Sequence, residues 1–179
     1  MASVTGGNKL GSILAGISAK LETAKEVEVG FLPGATYPDG TLVAAIAAIQ
    51  EFGAPRKGIP PRPYFRSMIA AKSPEWPDAI RGVLKANDYD AHKTLDIVGD
   101  QIAGQLKQSI EELFDPPLSP VTLMLRGMRT QAKFKGMRFG ELIKIARQRV
   151  AAGETNYGPS TKPLVDSGDL LRSIDFRVK

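Results

Sequence analysis

The stretch LVAAIAAIQEFGAPRKGIPPRPYFR, residues 42–66, decides how the rest of the chain is organised. Its first half is rich in Ala and Ile at helical spacing, which predicts a helix over residues 41–52. Gly53 can take the left-handed conformation that ends a helix. Four prolines then disfavour helix and stiffen the backbone, and a second helix is expected over 64–72. The stretch therefore predicts a proline-rich arm, residues 53–64, held between two helices.

The proline-rich arm has two interpretations. Its cations and its aromatic pair suit contact with a neighbouring protein, since a stiff segment loses little entropy when it docks. The same features fit a surface loop whose aromatic side chains fill the chain's own core, and the residues alone favour this second interpretation. The residues that the first interpretation assigns to the contact are Phe52, Arg56, Lys57, Arg62, Tyr64, Phe65 and Arg66.

Composition places the chain among ordinary globular proteins. With 179 residues, 42% hydrophobic and 24% charged, it can form a single domain, residues 1–179, with a substantial core. A net charge of +5 is compatible with an acidic partner but is not diagnostic of nucleic-acid binding. No apolar run approaches the roughly 20 residues that span a bilayer, so no membrane partner is expected. The first residues do not resemble a secretory signal, and synthesis in the cytoplasm is expected.

The remaining periodicities predict an α+β fold, in which a small antiparallel or mixed sheet packs against several helices. Residues 1–8 are small and polar and are expected to form a flexible N-terminal arm. An amphipathic helix is expected over 10–25, and apolar alternation predicts a strand over 26–32. The longest helix, over 90–114, has one continuous apolar stripe. A terminal strand over 174–178 could pair with the strand over 26–32 in the same sheet.

Charge is segregated between two neighbouring segments. The long helix carries several carboxylates, whereas residues 121–150 carry eight lysines and arginines against the single acid Glu141. Such a basic segment can bind a phosphate backbone, or it can meet the acidic face of a neighbouring copy. Few aromatic residues accompany it, which argues against stacking on single strands. The cations expected near DNA on the first alternative are Arg126, Arg129, Lys133, Lys135 and Arg138.

No constellation of residues in the sequence indicates an enzyme. His92 is the only histidine and the chain has no cysteine, so too few ligands are available for a zinc site. Neither of the glycine patterns that bind phosphate occurs. Asp166, Asp169 and Asp175 are close in sequence, but their spacing does not match a calcium-binding loop. We therefore expect no catalytic residue, no metal site and no cofactor.

Two segments of the chain together resemble a known family. The first is IQEFGAP, residues 49–55, followed by IPPRPYFR, residues 59–66, and the second is KPLVDSGDLLRSI, residues 162–174. This pairing resembles the neck proteins of long-tailed bacteriophages. It is similar to the tail-completion and virion-morphogenesis group, which includes relatives of lambda minor tail protein Z and of Mu protein G. The similarity is carried by these segments and does not extend to residues 90–150.

The resemblance implies a structural virion protein at the head–tail junction, synthesised in the host cytoplasm. Its partners would be further copies of itself in a ring, expected to be sixfold, a head-side connector or adaptor protein, and a tail terminator or tail tube protein. Genomic DNA would pass through the lumen without sequence-specific contacts. The proline-rich arm and the loop over 153–162 would carry the contacts between subunits or rings, together with Tyr157, Asp166 and Arg172. The alternative function is a basic DNA-binding or packaging accessory protein.

Overall fold

The computed structural model describes residues 7–37, 39–155, 157 and 160–179. The N-terminal half contains helix α1 (Gly7–Leu21), strand β1 (Val27–Phe31), helix α2 (Val43–Phe52), helix α3 (Tyr64–Lys72) and helix α4 (Trp76–Ala86). Helix α5 (Ala91–Glu112) is the longest, and it is followed by α6 (Pro120–Arg129), α7 (Phe139–Ala151), the short α8 (Asp169–Arg172) and strand β2 (Ile174–Val178). The fold is α+β and mostly helical, as the sequence predicts.

The sheet pairs a strand near the beginning of the described chain with the strand at its end. Strands β1 and β2 pair antiparallel, with Val27 opposite Val178 and Phe31 opposite Ile174. The predicted pairing of the two strands is therefore confirmed. Because a two-stranded ribbon is not stable alone in water, one face must be covered. Helix α5 supplies that cover by packing against both strands.

Helix α5 packs closely against the sheet at Gly99. A Cβ atom added there would lie 2.6 Å from Cδ2 of Phe176 and 2.8 Å from Cγ2 of Val27. Side chains do not approach this closely, so the site requires glycine. Glycine here lowers helix propensity, but it lets the aromatic ring of β2 lie against the helix backbone.

The main core lies where α5 meets α2, α3 and the sheet. Asp90 begins α5 by accepting a hydrogen bond from the backbone N–H of Lys93, and the apolar stripe of the helix then faces inward. The indole N–H of Trp76 donates to Gln105 at 3.0 Å and attaches α4 to the same helix. The buried side chains of this core include Val43, Ala47, Tyr64, Met68, Leu106, Ile110, Leu164, Leu170 and Ile174.

Helices α6 and α7 form a hairpin with a separate small core. Met124 and Met128 from α6 and Ala146 from α7 are fully buried against one another. Residues 113–119 connect α5 to this hairpin, and residues 152–155 leave it. The basic segment that the sequence singles out over 121–150 is thus a distinct helical unit attached to the main body.

Two predicted segments differ from the structure. The N-terminal arm was expected to include residues 7 and 8, but α1 already begins at Gly7, and residues 1–6 lie outside the described part. The proline-rich arm is not extended throughout, because residues 55–57 form a 3-10 turn and Ala54 pairs with Ile59. Gly53 and Gly58 both have positive φ, which reverses the backbone and folds the arm against the end of α2.

Candidate functional site

The proline-rich arm is held closed by the buried carboxylate of Glu51. Oε2 of Glu51 accepts a hydrogen bond from the N–H of Phe65 at 2.9 Å, and Oε1 accepts from the N–H of Arg66 at 3.2 Å. These N–H groups belong to the first turn of α3, where they have no partner within the helix. The side chain that ends α2 therefore caps α3, and both ends of the arm are fixed at one point.

Arg62 lies inside this loop and does not face a neighbour. The residue is only 4% exposed, and its guanidinium donates to the carbonyl oxygens of Pro116 and Pro117 and to the side chain of Gln50. Burial, assisted by the nearby charge of Arg126, lowers the pKa of Arg62. The expectation that Arg62 contacts another subunit is corrected, because its donors are used to fix the connection between α5 and α6.

Tyr64 is likewise a core residue and not a contact residue. It is 1% exposed, its hydroxyl donates to the carbonyl oxygen of Ala47 at 3.1 Å, and its ring meets Phe31 edge to face. Phe65 is half-buried and packs against the main core. For these two aromatic residues the structure supports the second interpretation of the arm, in which they fill the chain's own core.

The remaining predicted contact residues of the arm are accessible. Phe52 is 63% exposed, with the guanidinium carbon of Arg66 lying 4.9 Å from its ring centroid. Arg56 and Lys57 are exposed in the 3-10 turn at the tip. The arm therefore offers a stacked Phe52–Arg66 pair and a cationic tip to a neighbour, while Arg62 and Tyr64 hold it in place.

Arg126 fastens the hairpin to the chain that follows it. Its guanidinium donates to the carbonyl oxygens of residues 160, 162, 163 and 165, with the shortest contact 2.7 Å to Lys162. Burial is the main influence on its pKa and lowers it, while the charge of Asp166 opposes that shift. The expectation that Arg126 lies near DNA is corrected, because its side chain is enclosed by these carbonyl groups.

Asp166 joins this anchor to a cleft of about 660 Å³. Its carboxylate contacts both Arg126 and Arg129, the latter at 3.0 Å. Across the cleft, burial raises the pKa of Tyr37, and Asp169 adds to the effect. Asp166 is the carboxylate that pairs with the two arginines of the cleft, while Asp39 accepts the N–H of Thr41 and Asp169 pairs with Arg172.

The other predicted site residues lie at separate places. Tyr157 is half-buried against the small core of the hairpin. Arg172 forms an ion pair with Asp169 on α8, on the exposed side of the 166–173 turn. Lys133, Lys135 and Arg138 are exposed in the connection between α6 and α7. The structure therefore does not gather the predicted contact residues into one patch.

An exposed apolar stripe lies on α1, which the sequence did not single out as a site. The helix is attached at its C-terminal end, where Lys20 pairs with Asp88 and Thr23 accepts the N–H of His92. Residues 9–16 are exposed on every side. Leu10 and Leu14 are 59% and 56% exposed, and nothing in the described chain covers them. The amphipathic stripe is visible in the sequence, but its exposure depends on the tertiary structure.

The described residues provide no metal-binding cluster. No group of three His, Asp or Glu residues within that part of the chain is arranged to hold a metal ion. His92 lies exposed in the first turn of α5, and Asp175 accepts only the neighbouring N–H of Phe176. Of the other two aspartates considered for a cation, Asp166 forms ion pairs with Arg126 and Arg129, and Asp169 forms one with Arg172.

Comparison of the chain with protein-family models, curated proteins and solved structures found no match. Among the described helices, none combines the length and the apolar character that crossing a membrane requires.

Proposed function

We propose that this chain is a structural protein of the phage neck, which completes the tail and joins it to the head. Copies would form a ring around the DNA channel, between a head-side connector or adaptor and a tail terminator or tail tube protein. The basis for the neck assignment is the sequence resemblance over residues 49–66 and 162–174. The structural observation that supports the proposal is the exposed apolar stripe of α1, because a helix with such a stripe is suited to assembly with another protein.

The exposed stripe of α1 has an energetic consequence. A helix of 15 residues is marginal in water unless it packs against something, and the two interior glycines, Gly11 and Gly16, lower its propensity by about 1 kcal/mol each relative to alanine. Leu10, Ile13 and Leu14 together form a contiguous apolar face. Covering that face would stabilise the helix and bind the partner in one step.

The accessible part of the arm provides a second contact surface. Phe52 and Arg66 present an aromatic ring beneath a guanidinium, and residues of this kind are enriched in the energetic centres of interfaces. Because α1 and the arm lie on different elements, a head-to-tail contact between copies is available, and such contacts close into rings when the rotation allows. This arrangement supports a ring component.

The proposal is tested by removing the gene from the phage that encodes the chain. We expect DNA-filled heads and full-length tails that remain separate, and joining should be restored by the wild-type protein. A Leu10→Gln, Leu14→Gln variant should restore few joined particles. The matched control, Ser12→Gln with Ala19→Gln, changes the opposite face of the same helix and should restore them fully. Joined, infectious particles in the absence of the chain would overturn the proposal.

A further inference from the structure

The α6–α7 hairpin concentrates the positive charge of the chain. Residues 120–151 contain eight lysines and arginines and one glutamate, a net charge of +7, whereas the whole chain carries +5. The rest of the protein is therefore slightly acidic, with a net charge of −2. A unit with its own small core thus carries a charge opposite in sign to the body that supports it.

The structure divides the hairpin cations into two groups. Arg126 and Arg129 pair with Asp166, and Arg149 lies 3.7 Å from Glu154 and above the ring of Phe134. These three hold the hairpin and its flanking chain together. The second group is exposed and has no carboxylate within 4.0 Å among the described residues: Lys133, Lys135, Arg138, Lys144 and Arg147.

The amount of negative charge that each partner offers favours a nucleic-acid backbone over an acidic protein face. Helix α7 has 13 residues and is about 20 Å long. Duplex DNA carries one charge per roughly 1.7 Å, so that length of DNA presents about a dozen phosphates. A second copy of this chain offers a body with a net charge of only −2, part of whose acids are already paired. The duplex therefore matches the hairpin charge far better.

The hairpin offers few groups that stack on bases. Phe139 is its exposed aromatic side chain at the start of α7, and Phe134 is half-buried beneath Lys133 and Arg149. Three of the five exposed cations are lysines and few aromatic side chains lie beside them, which favours contacts to phosphates over stacking on bases. A surface of this kind binds duplex DNA without sequence preference.

We infer that the exposed cations of the α6–α7 hairpin form a binding surface for the phosphate backbone of duplex DNA. The inference of binding in vitro rests on the exposed charge of the hairpin, whereas the orientation of this surface toward the channel rests on the proposed neck function. The surface differs from the sequence expectation, because Arg126 and Arg129 are used internally and Lys144 and Arg147 take their place.

The test measures binding of the full chain to a fluorescently labelled 20-base-pair duplex of arbitrary sequence by anisotropy, over a range of salt concentrations. The hairpin variant replaces Lys133, Lys135, Lys144 and Arg147 by glutamine. The matched control replaces Lys25, Lys85, Lys107 and Arg177, which are exposed elsewhere, by glutamine and changes the net charge equally. Circular dichroism establishes that both variants remain folded.

We expect wild-type affinity to fall steeply with salt and to be equal for unrelated sequences. The slope of the logarithm of the binding constant against the logarithm of the salt concentration should be smaller in magnitude by about 3 to 4 in the hairpin variant, because each phosphate contact contributes about 0.9. The control should change this slope little. Equal losses in both variants would assign binding to net charge and overturn the inference. Absence of DNA binding at low salt would also overturn the inference. Self-association of the chain at low salt that only the hairpin variant abolishes would overturn it as well. If removing the gene prevents the joining of heads and tails but the chain does not bind DNA, the neck proposal is retained and the DNA-binding inference is overturned.

Discussion

The Oε1 atom of Glu51 lies 2.7 Å from the Nε atom of Arg66, and the same carboxylate caps the first turn of α3. One buried side chain thus joins the end of α2 to the beginning of α3 and closes the proline-rich arm between them. The arm is rigid because its ends are fixed as well as because of its prolines. The exposed Phe52–Arg66 pair is positioned by this contact.

Replacing Glu51 by glutamine should destabilise the fold. Hydrogen bonds to a charged group contribute about 1.5 to 3 kcal/mol, and the amide would direct N–H donors toward the backbone N–H groups of α3. We expect the free energy of unfolding in urea to fall by about 2 kcal/mol. Glu111→Gln, at an exposed position of α5, should change it by less than about 0.5 kcal/mol. Equal stability of both variants would show that the cap is unimportant.

Gly99→Ala and Gly104→Ala form a matched pair within α5. The added methyl at Gly99 would overlap Phe176 and Val27, and such overpacking costs about 1 to 3 kcal/mol. At Gly104 nothing lies within 4 Å, so alanine should stabilise the helix by up to about 1 kcal/mol. Thermal unfolding should therefore shift in opposite directions. Stabilisation by both substitutions would contradict the close packing of α5 on the sheet.

Arg126→Met should release the segment over residues 160–166. Four carbonyl groups would lose their donor, which we expect to cost about 2 kcal/mol or more. Hydrogen exchange measured by mass spectrometry should become faster in that segment and stay unchanged in α2 and α5. Arg129→Met removes the exposed partner of the same carboxylate and should have a small effect. Unchanged exchange over 160–166 in Arg126→Met would refute this anchoring role.

Tyr64 makes stability depend on pH in the alkaline range. Burial, with the charge of Glu51 adding to it, raises the pKa of its phenol above the ordinary value of 10.0. A raised folded-state pKa gives stability that is fully present below pH 10 and is lost as pH rises toward the folded-state pKa. The difference in unfolding free energy between wild type and Tyr64→Phe should therefore shrink from pH 9 to pH 11. A difference that stays constant over this range would contradict the assignment.

Regular elements with strong periodicity could be predicted from the sequence. The helices that became α2, α3 and α5 were expected within two residues of their observed ends, because caps, prolines and apolar stripes mark them. The pairing of β1 with β2 was predictable from matched alternation at the two ends of the chain. Helix α4 begins at Trp76 with Pro77 in its first turn, where proline is tolerated, so a proline does not by itself mark a break between helices.

Burial of charged residues could not be predicted in the same way. Arg62 is buried because carbonyl groups more than fifty positions later turn toward it, and Arg126 is enclosed by a segment more than thirty positions later. No local pattern encodes these distant acceptors. The separation of the α6–α7 hairpin from the main core and the exposure of α1 are also tertiary features. Periodicity identified the apolar stripe of α1 but not whether anything covers it.

The central claim is that the chain belongs to the neck, and immunogold electron microscopy of purified phage particles tests it most directly. Polyclonal antibodies raised against the full chain, whose epitopes are not confined to the proposed contact surfaces, would be applied to virions of the phage that encodes the chain. We predict gold confined to the head–tail junction in joined particles, with no label on particles that lack the gene. Gold spread over the head or the distal tail, or its absence from virions whose other neck proteins are labelled, would contradict the account.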